Sequence, residues 1–208
     1  MILYTTLVAE IAGKLKIDNN DEDVARFQVV ASINAAQRHL LIIMPAKYIT
    51  EALKTVTGDL ADGVSRYQWP ADFIRFKDLW LSYDSAIIDS NPGRKAQEVA
   101  DCRDVSNIDE MPNQSYPKMD LNVELGFELR PIPTAAQVNG FRLQYIQRLP
   151  NVSESQNCLL GAHLQNLVVY YGTHLSAIVE GSKPEVAKQM WDMYLDEEGK
   201  FIPKEVKG

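Results

Sequence analysis

The sequence has few of the side chains that most often carry catalysis or bind metal ions. Among its 208 residues there are three histidines and two cysteines. Cys102 and Cys158 lie far apart, so they form no metal-binding pair, and reduced thiols are favoured over a disulfide. The glycines are isolated, which excludes a glycine-rich phosphate loop, and no G-x-S-x-G nucleophile elbow is present. The sequence therefore predicts a protein that is not an enzyme and needs no cofactor.

Long hydrophobic runs and an excess of positive charge are also missing. No segment reaches the roughly 18 consecutive apolar residues of a membrane-spanning helix. Met1 to Val8 is too short for a secretory signal and lacks its basic start. The formal net charge of −7 and the pI of about 5.0 disfavour a surface that grips nucleic-acid phosphates. A chain of this length is expected to form one domain, or one domain with an insertion.

The remaining candidates for a metal site are poorly spaced. His163 and His174 share one side of a predicted helix, but they are eleven residues apart. Such a separation corresponds to about 16 Å of helix rise, which is too far for two ligands of one ion. Cys158 has only His163 nearby, and Asp101 with Asp104 lacks a third ligand. These side chains are better explained as a loop thiol and solvated charged surfaces, so no metal site is predicted.

The longest predicted element is a helix from Asp21 to Met44. Acidic residues open it, where carboxylates interact favourably with the helix dipole, and Pro45 ends it. Its apolar side chains form two faces, whereas an ordinary surface helix needs one. The two faces are Val24, Phe27, Ala31, Ala35 and Ile42, and nearly opposite them Val29, Ile33, Ala36, Leu40 and Ile43. Either the helix is enclosed by its own domain, or one face packs on the domain and the other on a neighbouring subunit.

Helices are predicted at both ends of the chain and strands in the middle. A first helix, capped by Thr5 or Thr6, reaches about Lys16, and two further helices follow Gly161. Between them the pattern predicts an Asn139-Gly140 turn, a polar helix at 94–108, and strands at 48–57, 66–69, 76–83, 118–130 and 140–148. The predicted fold class is α+β, mainly α: a four-helix bundle made by the N- and C-terminal helical hairpins, with a β-rich insertion between them. The predicted domains are 1–46 with 158–208, and 47–157.

Two features near the C-terminus are candidates for contact with another protein. Trp191 and Leu195 lie away from the predicted apolar face of the last helix. They pack on the β-rich insertion or contact a partner, since Trp is over-represented at interfaces. The tail that follows contains Phe201, Ile202, Lys204 and Lys207. It is either a frayed terminus or an arm that binds along a partner.

Several short motifs follow one another along the chain. They are Ile33-Asn34-Ala35-Ala36-Gln37-Arg38, Trp69-Pro70-Ala71-Asp72-Phe73, Phe127-Glu128-Leu129-Arg130-Pro131-Ile132-Pro133, Leu143-Gln144-Tyr145 with Pro150, and Tyr170-Tyr171-Gly172. Each motif alone is weakly specific. In this order they resemble the head-to-tail adaptor, or connector, proteins of tailed bacteriophages, especially those called tail tubular protein A. The resemblance covers nearly the whole chain, with Trp69 in place of the usual leucine.

The resemblance implies a virion structural protein that forms a ring of about twelve copies through heterologous contacts. Such a ring would lie between the portal and the tail nozzle or tube, in the neck of a virion assembled in the host cytoplasm. Tail fibres are a further partner that the resemblance implies. DNA would pass through it without sequence-specific binding, and an acidic channel wall would let the DNA slide. The resemblance thereby suggests a subunit interface at Val29, Ile33, Ala36, Leu40 and Ile43. It suggests a portal contact at Trp191, Leu195, Phe201, Ile202, Lys204 and Lys207.

A second interpretation stays open at the level of the sequence. A small, non-enzymatic scaffolding or regulatory module could use a helical bundle to bind a protein partner as a dimer. A ring and a dimer differ severalfold in mass, so mass photometry at rising concentration separates the two hypotheses.

Overall fold

The computed structural model of the chain describes residues 1–16, 22–88, 90–98, 114–115, 117–123, 125–181 and 183–202. The chain divides into two units. The helical unit is formed by both ends of the chain, Met1–Ala52 and Arg148–Gly208. The sheet unit is the continuous segment Leu53–Gln147.

In its described residues the helical unit contains four α-helices. These are α1 (Tyr4–Leu15), α2 (Glu22–Ile43), α3 (Gln165–Glu180) and α4 (Pro184–Glu198). Short 3-10 turns occupy Ala46–Tyr48 and Thr50–Ala52 after α2, and Ala162–Leu164 before α3. Each helix lies within a few residues of the position that its apolar spacing predicts, because that spacing gives each one a face to bury.

The start of α1 differs from the prediction. The helix begins at Tyr4 and has no side-chain cap, so the cap expected at Thr5 or Thr6 is wrong. The N–H of Tyr4 instead donates to Oδ1 of Asn157, at 3.0 Å, from the segment that leads to α3. A distant side chain therefore satisfies a donor that a local cap would otherwise satisfy.

The junction between α3 and α4 follows the expected chemistry of helix ends. Gly181, with a φ of 69°, ends α3, because glycine adopts this left-handed conformation without strain. Pro184 begins α4. The first N–H groups of a helix have no partner within the helix, so proline loses no hydrogen bond at this position. Between them, Nζ of Lys183 donates to the carbonyl oxygen of Leu15 at 2.5 Å, and this contact ties the junction to the end of α1.

Helix α3 is central to the helical unit, since it packs against α1, α2 and α4. Gly172 permits the contact with α1, because Cδ1 of Ile11 lies 3.0 Å from the place that a Cβ would occupy. The surrounding core is aliphatic. Its fully buried side chains include Leu7, Ile11, Leu15, Ile33, Leu40, Leu41, Leu164, Leu167 and Val168. Burial of each such side chain stabilises the unit by about 1.5–3 kcal/mol.

The described part of the sheet unit holds eight strands in two sheets. They are β1 (Leu53–Leu60), β2 (Arg66–Gln68), β3 (Phe73–Leu81), β4 (Arg94–Lys95), β5 (Gln97–Glu98), β6 (Lys118–Val123), β7 (Gly126–Arg130) and β8 (Gln137–Gln147). The strand orders are β1-β8-β3-β4 and β2-β7-β6-β5. Every pair is antiparallel except β5 with β6.

Side chains from both sheets form one core in this unit. The buried members are Leu60, Leu79, Leu81, Ala96, Met119, Phe127, Leu129, Leu143 and Tyr145. Aromatic rings close its margin, where Trp69 stacks on Phe73 with ring centroids 4.2 Å apart. Gly126 marks the tightest backbone approach, since a Cβ there would lie 1.8 Å from the carbonyl oxygen of Tyr67.

The predicted fold class, a mainly α four-helix bundle with a β-rich insertion, is wrong. The chain is α+β, and two sheets separate α1 and α2 from α3 and α4 along the sequence. The middle of the chain forms long strands, such as the 11-residue β8, with a core of their own. The helices also pack around α3, and they do not form a closed bundle of two hairpins.

Two local predictions in the sheet unit are also corrected. Residues 94–98, expected to begin a polar helix, form β4 and β5 because Ala96 is buried and its N–H donates to the carbonyl oxygen of Leu79 at 2.8 Å. The rest of that predicted helix, with Asp101, Cys102 and Asp104, lies outside the described residues.

The expected turn at Asn139-Gly140 lies inside β8. Asn139 has a φ of 49°, and its N–H donates to Oδ1 of Asp59 at 2.8 Å. The register between β1 and β8 shifts at this place, between Gly58 and Leu60. The residues that suggested a hairpin turn therefore form an irregularity within a long strand. The strand expected at 118–130 is divided into β6 and β7, which pair with each other.

The units meet along the chain at residues 52/53 and 147/148. The sequence predicts domain boundaries at 46/47 and 157/158, and these stay a prediction, because compactness in one chain does not show which segment folds independently.

Candidate interaction surfaces

Helix α2 buries one of its two apolar faces inside the helical unit. Val29, Ile33, Ala36 and Leu40, predicted as a subunit interface, are at most 2% exposed in the single chain. Ile43, the fifth predicted interface residue, is half-buried. Over residues 28–43, whose side chains the structure describes, the surface open to a neighbouring subunit lies on the other side of the helix. That face carries the exposed residues Ala31, Arg38 and Ile42 and the half-buried Ala35.

Two amides on α2 hold the segment that returns from the sheet unit. Asn34 donates through Nδ2 to the carbonyl oxygen of Val152 at 3.1 Å, and its Oδ1 accepts the N–H of Val152 at 2.7 Å. Gln37 donates to the carbonyl oxygen of Pro150 at 2.9 Å. The sequence pattern did not reveal this role. Their spacing, one helical turn, was the signal that could have indicated a shared contact.

The motif from Trp69 to Phe73 fixes a turn of the sheet unit. Asp72 accepts hydrogen bonds from Nζ of Lys54 at 2.6 Å and from the hydroxyl of Tyr145 at 2.7 Å. Burial alone would raise the pKa of Asp72, but these two donors outweigh it and hold the pKa below its ordinary value. The motif therefore has a structural role that links β1, β8 and the turn before β3.

A cluster of aromatic rings and histidines lies where α2, α3 and α4 meet. His39 of α2 stacks on Tyr171 of α3, with ring centroids 4.4 Å apart and planes 5° apart. Trp191 of α4 stacks on Tyr194 at 5.4 Å and lies 5.0 Å from His174. Trp191, expected either on the β-rich insertion or on a partner, is thus half-buried against rings of its own unit.

Hydrogen bonds in this ring cluster determine which nitrogen of His39 carries a proton. The hydroxyl of Tyr194 donates to Oε1 of Glu198 at 2.8 Å. Its oxygen therefore accepts a hydrogen bond from Nε2–H of His39, and the two atoms are 3.0 Å apart. Burial lowers the pKa of His39, and the charge of Glu198 partly opposes this effect. Burial likewise raises the pKa of Tyr194, so its hydroxyl stays protonated.

The other candidate metal ligands bind parts of their own unit. His163 bonds to the carbonyl oxygen of Tyr48 at 2.9 Å, and Nδ1–H of His174 donates to the carbonyl oxygen of Ala187 at 2.8 Å. The thiol of Cys158 lies 3.4 Å from Oε1 of Gln37, and burial raises its pKa. Within the described ranges, no three His, Cys, Asp or Glu side chains are grouped as metal ligands would be.

The residues predicted to contact a portal are distributed over the end of α4 and the segment after it. Leu195 is 36% exposed. Phe201 meets the ring of Tyr48 edge-on, with centroids 5.1 Å apart, so it has a local partner that the sequence did not reveal. The N–H of Ile202 donates to the carbonyl oxygen of Glu198 at 3.0 Å. Lys204 and Lys207 lie outside the described residues.

Membrane insertion through a helix has no support in the described residues. None of their helices combines the length and the apolar character that a bilayer crossing requires.

Comparison with known families identifies the class of this protein. The chain matches a family of phage adaptor proteins over nearly its whole length. The family is described as the SU10 adaptor protein, the match covers residues 2–198, and the chain belongs to this family. No curated protein sequence matches the chain significantly.

Membership in this family gives the general role of the protein. Its members are structural head-to-tail adaptors of bacteriophages, and they bind other head or tail proteins in the neck of the virion. The general resemblance deduced from the sequence motifs is therefore confirmed.

Proposed function

We propose that this protein is a ring-forming adaptor, of the kind called tail tubular protein A, that joins the portal to the tail nozzle or tube and surrounds the DNA exit channel. The family match over residues 2–198 is the observation that carries this proposal. Assembly takes place in the host cytoplasm, and other copies of the chain, the portal and the tail nozzle or tube are the partners.

The surface of the helical unit supports a ring. A ring needs two different patches on each subunit, one for each neighbour. The buried face of α2 is already used by its own unit, whereas Ala31, Arg38 and Ile42 remain exposed on its other side. Helix α4 has a second exposed surface of different composition, with Asp192, Leu195 and Asp196. The helical unit thus offers two unlike surfaces on separate helices.

Charge supports passage of DNA without tight binding. The net charge of the chain is −7, and a ring multiplies this charge around its channel. Phosphates are repelled by an acidic wall, so DNA slides and is not held in place.

The portal contact is proposed at the end of α4 and the following segment. Trp191 and Leu195 are partly accessible there, and Lys204 and Lys207 supply positive charge beyond Ile202. Because Phe201 packs against Tyr48, a truncation that ends at Ile202 tests the tail without removing this internal contact. The truncated protein should keep its melting temperature and lose portal affinity at least tenfold, which is about 1.4 kcal/mol. Equal affinity would exclude the tail as a portal contact.

Mass photometry of the chain, alone and with the portal protein of the same phage, tests the central proposal. A closed ring on the portal is the expected product, and cryo-electron microscopy of the neck would show its position. A complex no larger than a dimer under both conditions would contradict the ring and would favour a small scaffolding module.

A further inference from the structure

The exposed face of α2 forms a stripe with one positive charge. Ala31, Ala35, Arg38 and Ile42 follow one another at intervals of four, three and four residues, which places them on one side of the helix. Ile42 is 58% exposed. Arg38 is exposed and forms no ion pair with any part of the chain that the structure describes. The stripe is therefore a narrow, mostly apolar surface with a single available guanidinium group.

Helix α4 carries a stripe of the opposite charge. Asp192 and Asp196 are exposed and one helical turn apart, and Leu195, 36% exposed, lies between them. Neither carboxylate forms an ion pair within 4 Å among the described side chains. The nearby Lys200 pairs with Glu197 at 2.6 Å, and its charge is also felt by Asp196. The α4 stripe is thus an exposed apolar side chain flanked by two available carboxylates.

We propose that the α2 stripe of one copy binds the α4 stripe of the next copy, an inference that rests on the proposed ring. The guanidinium group of Arg38 bonds to the carboxylates of Asp192 and Asp196, and Ile42 packs against Leu195. Arg38 and Ile42 are four residues, or about 6 Å, apart along α2, and Asp192 and Leu195 are three residues, or about 4.5 Å, apart along α4. A guanidinium group beside Asp192 therefore places Ile42 close to Leu195. Arginine suits this contact because its planar group can bond two carboxylate oxygens.

The occupant that we assign to these stripes is a second copy of the chain. The two stripes have opposite charges, and each has one large exposed apolar side chain, Ile42 on α2 and Leu195 on α4. Every copy of the chain carries both stripes. When the two stripes of one copy bind two different neighbours, the contact is heterologous, and the assembly closes as a ring if the rotation between copies divides a full turn. A symmetric dimer would instead pair both stripes with the same partner, and the crosslinking test below distinguishes it from a ring, because only the ring gives linked species larger than a dimer.

Charge reversal tests the contact. Arg38→Asp alone, and Asp192→Arg with Asp196→Arg, should each reduce self-association at least about tenfold, because like charges then face each other. The triple variant, with all three reversals in one chain, should recover association to within about threefold of the natural protein. Lys77→Asp, an equal charge change on an exposed position of β3, is the control and should have no effect. Mass photometry with the portal protein of the same phage present measures all of them.

Crosslinking provides a second test that does not depend on charge. A chain with Ile42→Cys and Leu195→Cys, in a Cys102→Ser background, should form a ladder of disulfide-linked oligomers under oxidation. Each variant with only one of the two introduced cysteines should stop at the dimer, because Cys158 is buried and a single accessible thiol per chain cannot link two neighbours. Circular dichroism and melting temperature confirm that all variants fold.

The outcomes separate this contact from the proposed function. Rings that form normally despite the reversals, or a triple variant that does not recover, overturn the contact and leave the adaptor role intact. Reversals that abolish portal attachment but not ring formation assign the stripes to the portal, and this also overturns the proposal. If the natural protein forms no ring even with the portal present, the proposed function itself fails.

Discussion

The two units of the chain use their charged side chains differently. In the sheet unit, charges on neighbouring strands or turns pair with one another. The pairs include Lys54 with Asp72 at 2.6 Å, and Arg66 and Arg130 with Glu128 at 3.0 and 3.2 Å. In the described helical unit, the ion pairs lie at helix ends, and charges in the middle of α2 and α4 face solvent. In the sheet unit these charges are therefore paired across strands and turns. In the helical unit, the charges in the middle of α2 and α4 are exposed, where another protein can contact them.

The cores of the two units differ as well. The helical core is mostly aliphatic, with rings gathered at one edge around His39. The sheet core is rich in aromatic rings, and Phe127 lies within 6 Å of the rings of Tyr67, Trp69 and Phe141. Large rigid rings leave little room for adjustment, while aliphatic side chains on helices can shift slightly. The units should therefore respond differently to the same kind of substitution.

The largest effect is expected from a charge placed on the buried face of α2. Ile33→Asp buries a carboxylate in the aliphatic core, where Ile33 is fully buried, and should cost more than about 4 kcal/mol. The helical unit should unfold, as circular dichroism would show. Ile42→Asp on the exposed face is the matched control and should retain the fold. If the Ile33→Asp protein folds, the core does not need this face of α2, and the face is again a candidate for the subunit interface.

A smaller but still large effect is expected in the sheet unit from Gly126→Ala. The added Cβ would lie 1.8 Å from the carbonyl oxygen of Tyr67, a backbone atom that cannot move without disturbing the pairing of β2 with β7. Overpacking of this kind should reduce the free energy of unfolding by about 3 kcal/mol. Urea denaturation measures this change. A loss below about 1 kcal/mol would show that this sheet adjusts more easily than its ring-filled core suggests.

The same substitution in the helical unit should have the opposite sign. Gly13 lies inside α1, and no heavy atom is within 4 Å of the position that its Cβ would take. Gly13→Ala should stabilise the protein by about 0.5–1 kcal/mol, because alanine loses less backbone entropy in a helix. Urea denaturation beside Gly126→Ala provides a direct comparison of the two units. Destabilisation by Gly13→Ala would mean that an assembly or folding constraint acts on α1.

The smallest effect concerns acid and the ring cluster of the helical unit. Burial lowers the pKa of His39, so the unfolded chain takes up a proton first as the pH falls through the ordinary value of about 6.5. Stability contributed by neutral His39 is therefore present above that pH and declines below it. The free energy of unfolding should fall between about pH 7.5 and 5.5, and less so in His39→Gln. An identical fall in the variant would assign the dependence to other groups.

The sequence predicted the helices more accurately than the strands, for a physical reason. Helix signals are local, so the spacing of Leu7, Ile11 and Leu15 sufficed for α1. Strand boundaries depend on distant partners. Ala96 lies between β4 and β5, where Leu79 accepts its N–H, and no pattern near Ala96 shows this contact. The number and pairing of the strands, and hence the fold class, needed information that the local pattern does not contain.

The proposed interface shows a similar limit. Sequence periodicity identified two apolar faces on α2 but could not distinguish them, because both have a similar composition. The position of α3, more than 100 residues later, determines that Ile33 and Leu40 are buried while Ile42 is exposed. The hydrogen bonds of Asn34 and Gln37 could not be predicted for the same reason. Their partners, Val152 and Pro150, come after the whole sheet unit in the sequence.

The split of the helical unit between both ends of the chain has a consequence for synthesis. The apolar residues of α1 and α2 leave the ribosome first, but α3, against which they pack, emerges only after residues 53–147. The sheet unit is one continuous segment, so all of its strands are synthesised in that interval. During that interval Leu7, Ile11 and Ile33, which are buried in the folded chain, lack the α3 surface on which their helices pack. Completion of the helical unit, and with it any display of both stripes, therefore waits until α3 and α4 have been synthesised.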